Sequence, residues 1–160
     1  GEYLNKELQY LLDNNIREKG EYQLTNALEN MKKKGTKFVP GKVDEWLDCG
    51  NKDATVYTNK RVLEINRSSA MIASSVKKEN SIIIEPCYIG ENVELKNSIV
   101  GPHVSLGAGS KIENSVVSNS IIQTNAKIKN SVIENSMIGN AAEYSNAAEQ
   151  LSLSDYSTHF

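Results

Sequence analysis

The chain lacks what would commit it to a membrane, a nucleic acid or a disulfide framework. Its longest uninterrupted aliphatic run is Ile82-Ile83-Ile84, against the roughly 20 apolar residues that a spanning helix needs. Gly1-Glu2-Tyr3 begins nothing like a signal peptide. Neither sign of charge dominates, with 18 Lys and Arg against 20 Asp and Glu. A surface made for nucleic acid or anionic lipid would show a concentrated basic excess. The single basic run of three, Lys32-Lys33-Lys34, precedes Gly35 at the end of a helical pattern, where cations complement the helix dipole. Cysteine is scarce: Cys49 and Cys87 sit in different segments, outside any CxxC pair or Cys/His cluster, and read as reduced thiols. The expectation is a cytoplasmic protein of ordinary globular composition, with 160 residues for one domain or two small ones.

What the chain does have is a six-residue pulse through its second half. Ile89-Gly90-Glu91-Asn92-Val93-Glu94, Val100-Gly101-Pro102-His103-Val104-Ser105, Leu106-Gly107-Ala108-Gly109-Ser110-Lys111, Ile122-Gln123-Thr124-Asn125-Ala126-Lys127 and Ile138-Gly139-Asn140-Ala141-Ala142-Glu143 each open on an aliphatic residue. Glycine usually follows, and a small or β-branched residue stands four places on. A period of six fits neither a helix nor a simple alternating strand. Three hexads of short strand plus corner make one coil of a parallel β-helix, with the opening residue pointing into a shared core. A longer repeat lies above it: Asn-Ser pairs at 97–98, 114–115 and 130–131, with a second series at 119–120 and 135–136. Spacings of 17 and 16 fall short of three hexads, so one corner per coil must be tight. The array holds about three to four coils. Asn92, His103, Gly109 and Asn125 share the fourth hexad place, which suits a corner requiring positive φ.

The first half is helical. Leu4, Leu8, Leu11 and Leu12 predict an amphipathic helix from residue 3 to about 18, ended by Gly20. Leu24, Ala27, Leu28 and Met31 predict a second, with Asn26 and Glu29 in a capping-box-like arrangement. Lys37–Val39 reads as a strand, Pro40-Gly41 as a turn, and Lys42 to Trp46 as extended. Ala54, Tyr57, Val62 and Ile65 predict a third helix capped by Asn51. Such elements could stabilise only a very small core, so residues 1–67 read as the tail end of a larger domain. Residues 68–80 read as a connection, 81–144 as the β-helix, and 145–160 as a tail in which Leu151 and Leu153 suggest a last short strand.

Two acids stand out, Glu21 in Gly20-Glu21-Tyr22-Gln23-Leu24-Thr25 and Asp48 in Trp46-Leu47-Asp48-Cys49-Gly50. From the residues alone they are loop carboxylates, solvated, or in the case of Asp48 capping the following turn. The segments "GEYQLTNAL" and "WLDCG", in this order and followed by hexads, resemble the C-terminal part of sugar-1-phosphate nucleotidyltransferases. The likeness is greatest to the glucose-1-phosphate thymidylyltransferase and uridylyltransferase group, and it covers the chain to about Tyr144. Family members carry Glu-Tyr-x-[Leu/Ile]-Thr-Asp and Trp-x-Asp-x-Gly, and many continue into a left-handed β-helix.

The resemblance implies an α+β fragment of the nucleotidyltransferase α/β domain followed by a left-handed parallel β-helix. It implies that Glu21 binds the sugar phosphate and that Asp48 is one of two aspartates holding Mg²⁺. An oxygen of the sugar 1-phosphate then attacks the α-phosphorus of a nucleoside triphosphate, and pyrophosphate leaves. Asn26 departs from the family's aspartate. The Gly-rich nucleotide loop and the first metal aspartate of the family belong to a region preceding Gly1, so the chain alone is expected to be inactive, and the sequence does not name the nucleotide or the sugar.

Hexapeptide acyltransferases, which place acyl-CoA along the same kind of coil, make His103 an alternative general base. Its corner position explains it without catalysis, and His159 reads as part of a solvated terminus. A non-catalytic relative serving assembly or regulation is the remaining alternative. The expected partners are nucleoside triphosphate and sugar 1-phosphate, with no nucleic acid and no membrane, and a homo-oligomer formed through the β-helix.

Overall fold

The computed structural model describes residues 1–147, and the chain divides into two compact units, Gly1–Glu45 and Trp46–Phe160. In the first unit α1 (Glu2–Asp13) packs on α2 (Leu24–Lys33), with Leu11 and Ala27 buried. The buried carboxylate of Glu7 receives the Lys34 ammonium at 2.5 Å. α1 stops well before residue 18, because Asn15 takes positive φ (51°), which a right-handed helix does not accommodate; Lys19 and Gly20 follow at φ 52° and 85°. α2 begins at Leu24 after Gln23, so Asn26 lies inside it and the capping box does not form. Lys32 and Lys33 close α2, and Gly35 follows at φ 87° as expected. The stretch from Lys37 to Trp46 contains no strand. Phe38, Val39, Val43 and Trp46 are exposed, with no neighbouring strand to hold them.

The second unit contains α3 (Lys52–Ile65), capped by Asn51, whose Oδ1 accepts the Ala54 N–H at 2.9 Å. α3, expected within residues 1–67, belongs to the same compact unit as the repeats. It buries Val56 and Leu63 and leaves Tyr57, Val62 and Ile65 exposed, so its inward face is rotated from the one the apolar spacing suggested. The polar Asn59 lies midway along the true inward face and hides it.

The repeats build a parallel β-solenoid of about four turns. The first coil contributes β1 (Lys77–Glu79), β2 (Ile82–Ile83) and β3 (Tyr88–Ile89). The second contributes β4 (Glu94–Lys96), β5 (Ile99–Val100) and β6 (Ser105–Leu106), the third β7 (Lys111–Glu113), β8 (Val116–Ser118) and β9 (Ile121–Ile122). The fourth adds β10 (Lys127–Lys129), β11 (Val132–Glu134) and β12 (Met137–Ile138), and β13 (Glu143–Ser145) opens a further turn. Three parallel sheets result, ordered β1-β4-β7-β10-β13, β2-β5-β8-β11 and β3-β6-β9-β12. Pairing already begins at Ile72, which bridges to Ile89 inside the stretch read as a connection. Its Ser, Ala and Lys content obscured Ile72 and Val76, both packed against the core. The proposed strand around Leu151 and Leu153, and His159, lie outside the described residues. No helix among the described residues is long and apolar enough to cross a membrane.

Each hexad's opening residue points inward, and equivalent residues stack: Ile89, Leu106 and Ile122 form one column, Leu95, Ile112 and Ile128 another, Val100, Val117 and Ile133 a third. In the second of these columns Lys78 takes the first-coil place and Tyr144 the last. Asn92, His103, Gly109 and Asn125 take the expected positive φ, between 55° and 72°. The Asn of every Asn-Ser pair does likewise, from 39° to 51°. Asn80, Asn97, Asn114 and Asn130 form a ladder, each amide donating to the next at 3.0 to 3.1 Å. The hydroxyls of Ser81, Ser98 and Ser115 accept the backbone N–H of the serine one coil on. The Asn-Ser pair thus supplies both the turn conformation and the hydrogen bonds a narrow core demands.

A coil of 17 residues has the one tight corner expected; a coil of 16 has two. Between Val100 and Ser105 the chain goes round by Gly101-Pro102-His103-Val104, whereas between the paired residues Val117 and Ile121 it needs only Ser118-Asn119-Ser120. Core volume follows, with Cys87 and Val104 filling the wide corners and Ser120 the tight one. Both cysteines are free thiols, Cys49 exposed and Cys87 buried. Burial pushes the Cys87 thiol up from its ordinary value.

Candidate functional site

Glu21 closes a tight turn in the first unit. Its N–H and C=O exchange hydrogen bonds with Glu18 at 3.1 and 2.9 Å, and the two residues between, Lys19 and Gly20, both have positive φ. Positive φ at both central positions is the backbone signature of a type I′ turn, where glycine is favoured. The next residue is fixed too: the Tyr22 hydroxyl donates to Asn15 Oδ1 at 2.9 Å, and the Arg17 guanidinium lies 4.5 Å from the Tyr22 ring centre. The Glu21 carboxylate is exposed and accepts one side-chain bond, from Gln23 Nε2 at 3.3 Å.

Asp48 lies in the second unit, on the loop leading into α3. The loop is tied to the helix by its backbone oxygens: Thr58 Oγ1 donates to the Asp48 carbonyl at 2.6 Å, while Thr55 Oγ1 donates to the Asn51 carbonyl at 2.7 Å and lies 3.2 Å from the Cys49 carbonyl. The carboxylate itself is exposed. Its Oδ1 accepts the Cys49 N–H at 2.8 Å, and a Cβ at Gly50 would stand 3.2 Å from Oδ2. A small rotation of the exposed Asp48 side chain would relieve that contact, so Gly50 eases the position of Oδ2 without dictating it. Asp48 does not cap α3; Asn51 does.

His103 occupies its corner at φ 61°. Its Nε2 lies 2.6 Å from Glu64 Oε1 on α3, with the imidazole largely covered. Because an ionised carboxylate only accepts, this nitrogen carries the proton in that contact. Asn59 supports the same junction, its amide donating to the His103 carbonyl at 3.4 Å and its Oδ1 accepting the Ser105 hydroxyl at 2.6 Å. Further along, Lys52 donates to the Asn135 carbonyl at 3.0 Å. His103 is thus a corner residue that also docks α3 on the solenoid. With Nε2 held by Glu64, a general-base role would fall to Nδ1, the other nitrogen of this largely covered ring.

The His103 hydrogen bond lowers the Glu64 pKa below the ordinary 4.5; desolvation opposes this, and Arg67 reinforces it. The sign of the linkage follows. A carboxyl depressed in the folded state stabilises the fold above its unfolded value and loses that contribution as pH falls from about 4.5 through the lower folded value. Thermal unfolding should therefore lose stability faster below pH 4.5 in the wild type than in Glu64→Gln. Parallel pH profiles for the two proteins would remove the pair as a contributor.

Asp48 and His103 both attach to α3, through the adjacent residues Thr58 and Asn59. Glu21 belongs to the other compact unit. The anchoring residues Thr55, Thr58, Asn59 and Glu64 carried no sequence signal, since each is an ordinary polar helix residue until its partner is known. Among the described residues no three His, Cys, Asp or Glu side chains cluster to hold a metal ion. A lone exposed carboxylate fits Mg²⁺ only in the way that ion is usually held, by one or two protein carboxylates completed by phosphate oxygens and water.

The solenoid is compatible with hexapeptide-repeat proteins, acyltransferases among them. A scan against protein-family models matches none, and a search of curated proteins returns no match.

Proposed function

We propose that the chain is the C-terminal portion of a sugar-1-phosphate nucleotidyltransferase, ending in a left-handed β-helix, that makes a nucleoside-diphosphate sugar and pyrophosphate. The observation that carries the reading is the Asp48 loop: an exposed carboxylate held by backbone anchors to α3, with Gly50 leaving Oδ2 uncrowded. On this reading Asp48 supplies one protein ligand to Mg²⁺ and a second aspartate precedes this chain. The bound ion would neutralise phosphate charge. Glu21, exposed at its fixed turn, hydrogen-bonds sugar hydroxyls and orients the attacking sugar phosphate. The exposed apolar side chains of Phe38, Val39 and Val43 are the kind of surface a larger catalytic domain covers. The protein acts in the cytoplasm, and the solenoid serves homo-oligomer formation.

The acyltransferase alternative draws only on the His103–Glu64 pair, and the position of that pair under α3 argues against it. The phosphate-cradling loop lies outside this chain, so calorimetric titration of the 160-residue protein with Mg²⁺ and any nucleoside triphosphate should show no saturable binding. Micromolar binding here would place the active site elsewhere. Joined to its upstream half, the protein should release pyrophosphate from a nucleoside triphosphate only when a sugar 1-phosphate is present. Release that requires acyl-CoA instead, or no reaction across a panel of both substrates, would overturn the reading.

A further inference from the structure

We propose that the residues following Ala147, 148–160, return over the β2-β5-β8-β11 face and cover it. Ile82, Ile99, Val116 and Val132 stand in register along this face, one per coil. They are 58%, 38%, 39% and 81% exposed. A soluble surface rarely sets its β-branched residues in an unbroken row. The row lines a groove together with the ladder of Asn80, Asn97, Asn114 and Asn130, whose amides bond to one another. Drying this groove therefore leaves few polar groups without a partner.

The last coil delivers the chain to the groove. The Asn146 N–H donates to the Lys129 carbonyl at 3.3 Å, as Asn97, Asn114 and Asn130 each donate to the coil before them at 2.9 to 3.1 Å, so Asn146 holds the corner that precedes the face. There the repeat stops. Asn146 Oδ1 accepts the Tyr144 hydroxyl at 3.2 Å, and Ala147 stands where the coils below carry Ser81, Ser98, Ser115 and Ser131. Carrying the register two residues further would set Glu149 against Ile133, at the end of the inward column of Val100, Val117 and Ile133. A carboxylate there would be buried without a counter-charge. The chain therefore leaves the coil at the end of the groove, which Asn146 and Ala147 themselves line.

Thirteen residues follow Ala147 in this sequence, Leu151, Leu153, Tyr156 and Phe160 among them. The row from Val132 to Ile82 covers three strand separations, about 14 Å, and thirteen residues can reach about 40 Å. The other outer surfaces offer apolar side chains less. The five-stranded sheet is laced with ion pairs, such as Lys111 on Glu94 and Lys129 on Glu113, and covering it would strip water from those charges. The wide corner leading to β6 already carries α3, through His103 and Ser105. A segment joined to the end of the groove also meets it at an effective concentration in the millimolar range, above that of a separate molecule. Neither Glu21 nor Asp48 takes part, so an uncovered face would leave the proposed chemistry untouched.

Val132→Cys in the 160-residue chain, with Cys49→Ser, places a thiol on the face while Cys87 stays buried. Its labelling by a maleimide should be equally slow at protein concentrations from about 1 to 100 µM. Adding Leu151→Asp and Leu153→Asp should speed labelling about tenfold or more, while the far-ultraviolet circular dichroism stays that of the wild type. Lys96→Cys, on the charged sheet, should label at one rate with either tail. A Val132→Cys thiol that reacts as fast as Lys96→Cys, or whose rate the two aspartates leave unmoved, would overturn the proposal. Protection that grows with protein concentration would also overturn it, because a second copy would then be the cover.

Discussion

Gly107→Ala should destabilise the solenoid by roughly 3 kcal/mol or more, seen as a lowered urea midpoint. A Cβ at this position would meet Thr124 N at 2.5 Å, Gln123 C at 2.6 Å and Thr124 Cα at 2.9 Å. All three are backbone atoms of the next coil, so no side chain can swing aside, and relief requires prising two coils apart. Gly90→Ala should behave similarly, with Ala108 N at 2.7 Å. The control is Gly139→Ala: the same hexad place, but with nothing among the described residues within 4 Å. That substitution should be neutral, or stabilise by up to about 1 kcal/mol through the unfolded chain. Equal effects at 107 and 139 would show that the glycine serves its own backbone rather than the coil passing over it.

The second large effect concerns chemistry. On the proposed reading, in which Asp48 holds Mg²⁺ and a catalytic half precedes this chain, Asp48→Ala in the joined protein should lower turnover at least about a hundredfold, because a metal ligand would act where charge develops on the transferring phosphate. The fold should be untouched, since the substitution removes one exposed hydrogen bond, to the Cys49 N–H, and leaves the Thr58 anchor to the Asp48 carbonyl in place. Raising Mg²⁺ should recover part of the rate in Asp48→Asn, which retains an oxygen ligand, more than in Asp48→Ala. Turnover within threefold of the wild type in Asp48→Ala would take this residue out of the reaction.

The solenoid was legible because its signals are local and repeated. An aliphatic residue, a glycine and an Asn or His corner recur at fixed spacing, and each reports the conformation of its own backbone. The reason for the glycine was not legible, since the atoms that exclude a Cβ from Gly107 belong to Gln123 and Thr124. The inward face of α3 was misread for a related reason: Asn59 is inward because Ser105 and the His103 carbonyl, more than forty residues on, receive it. Phe38, Val39 and Val43 are residue types that favour strands, yet a strand exists only where another strand pairs with it. At the candidate site, two loop acids were visible as residues, but only the family resemblance singled them out. The anchoring threonines and the Glu64 partner of His103 are tertiary facts that no spacing in the chain encodes.

The place of Lys78 in a column continued by Leu95, Ile112, Ile128 and Tyr144 bears on how the solenoid avoids growing. A stack of parallel coils is a short length of cross-β structure, and its first strand offers the same edge that each later coil has already used. Head-to-tail addition of another molecule would be a heterologous contact, which does not close and can continue into a fibre. To add a molecule beneath β1, the exposed Lys78 ammonium would have to enter the column without a counter-charge, or its stem would have to bend out of the way. One lysine at that place of the register thus makes the first-coil edge a costly surface for another molecule to stack upon.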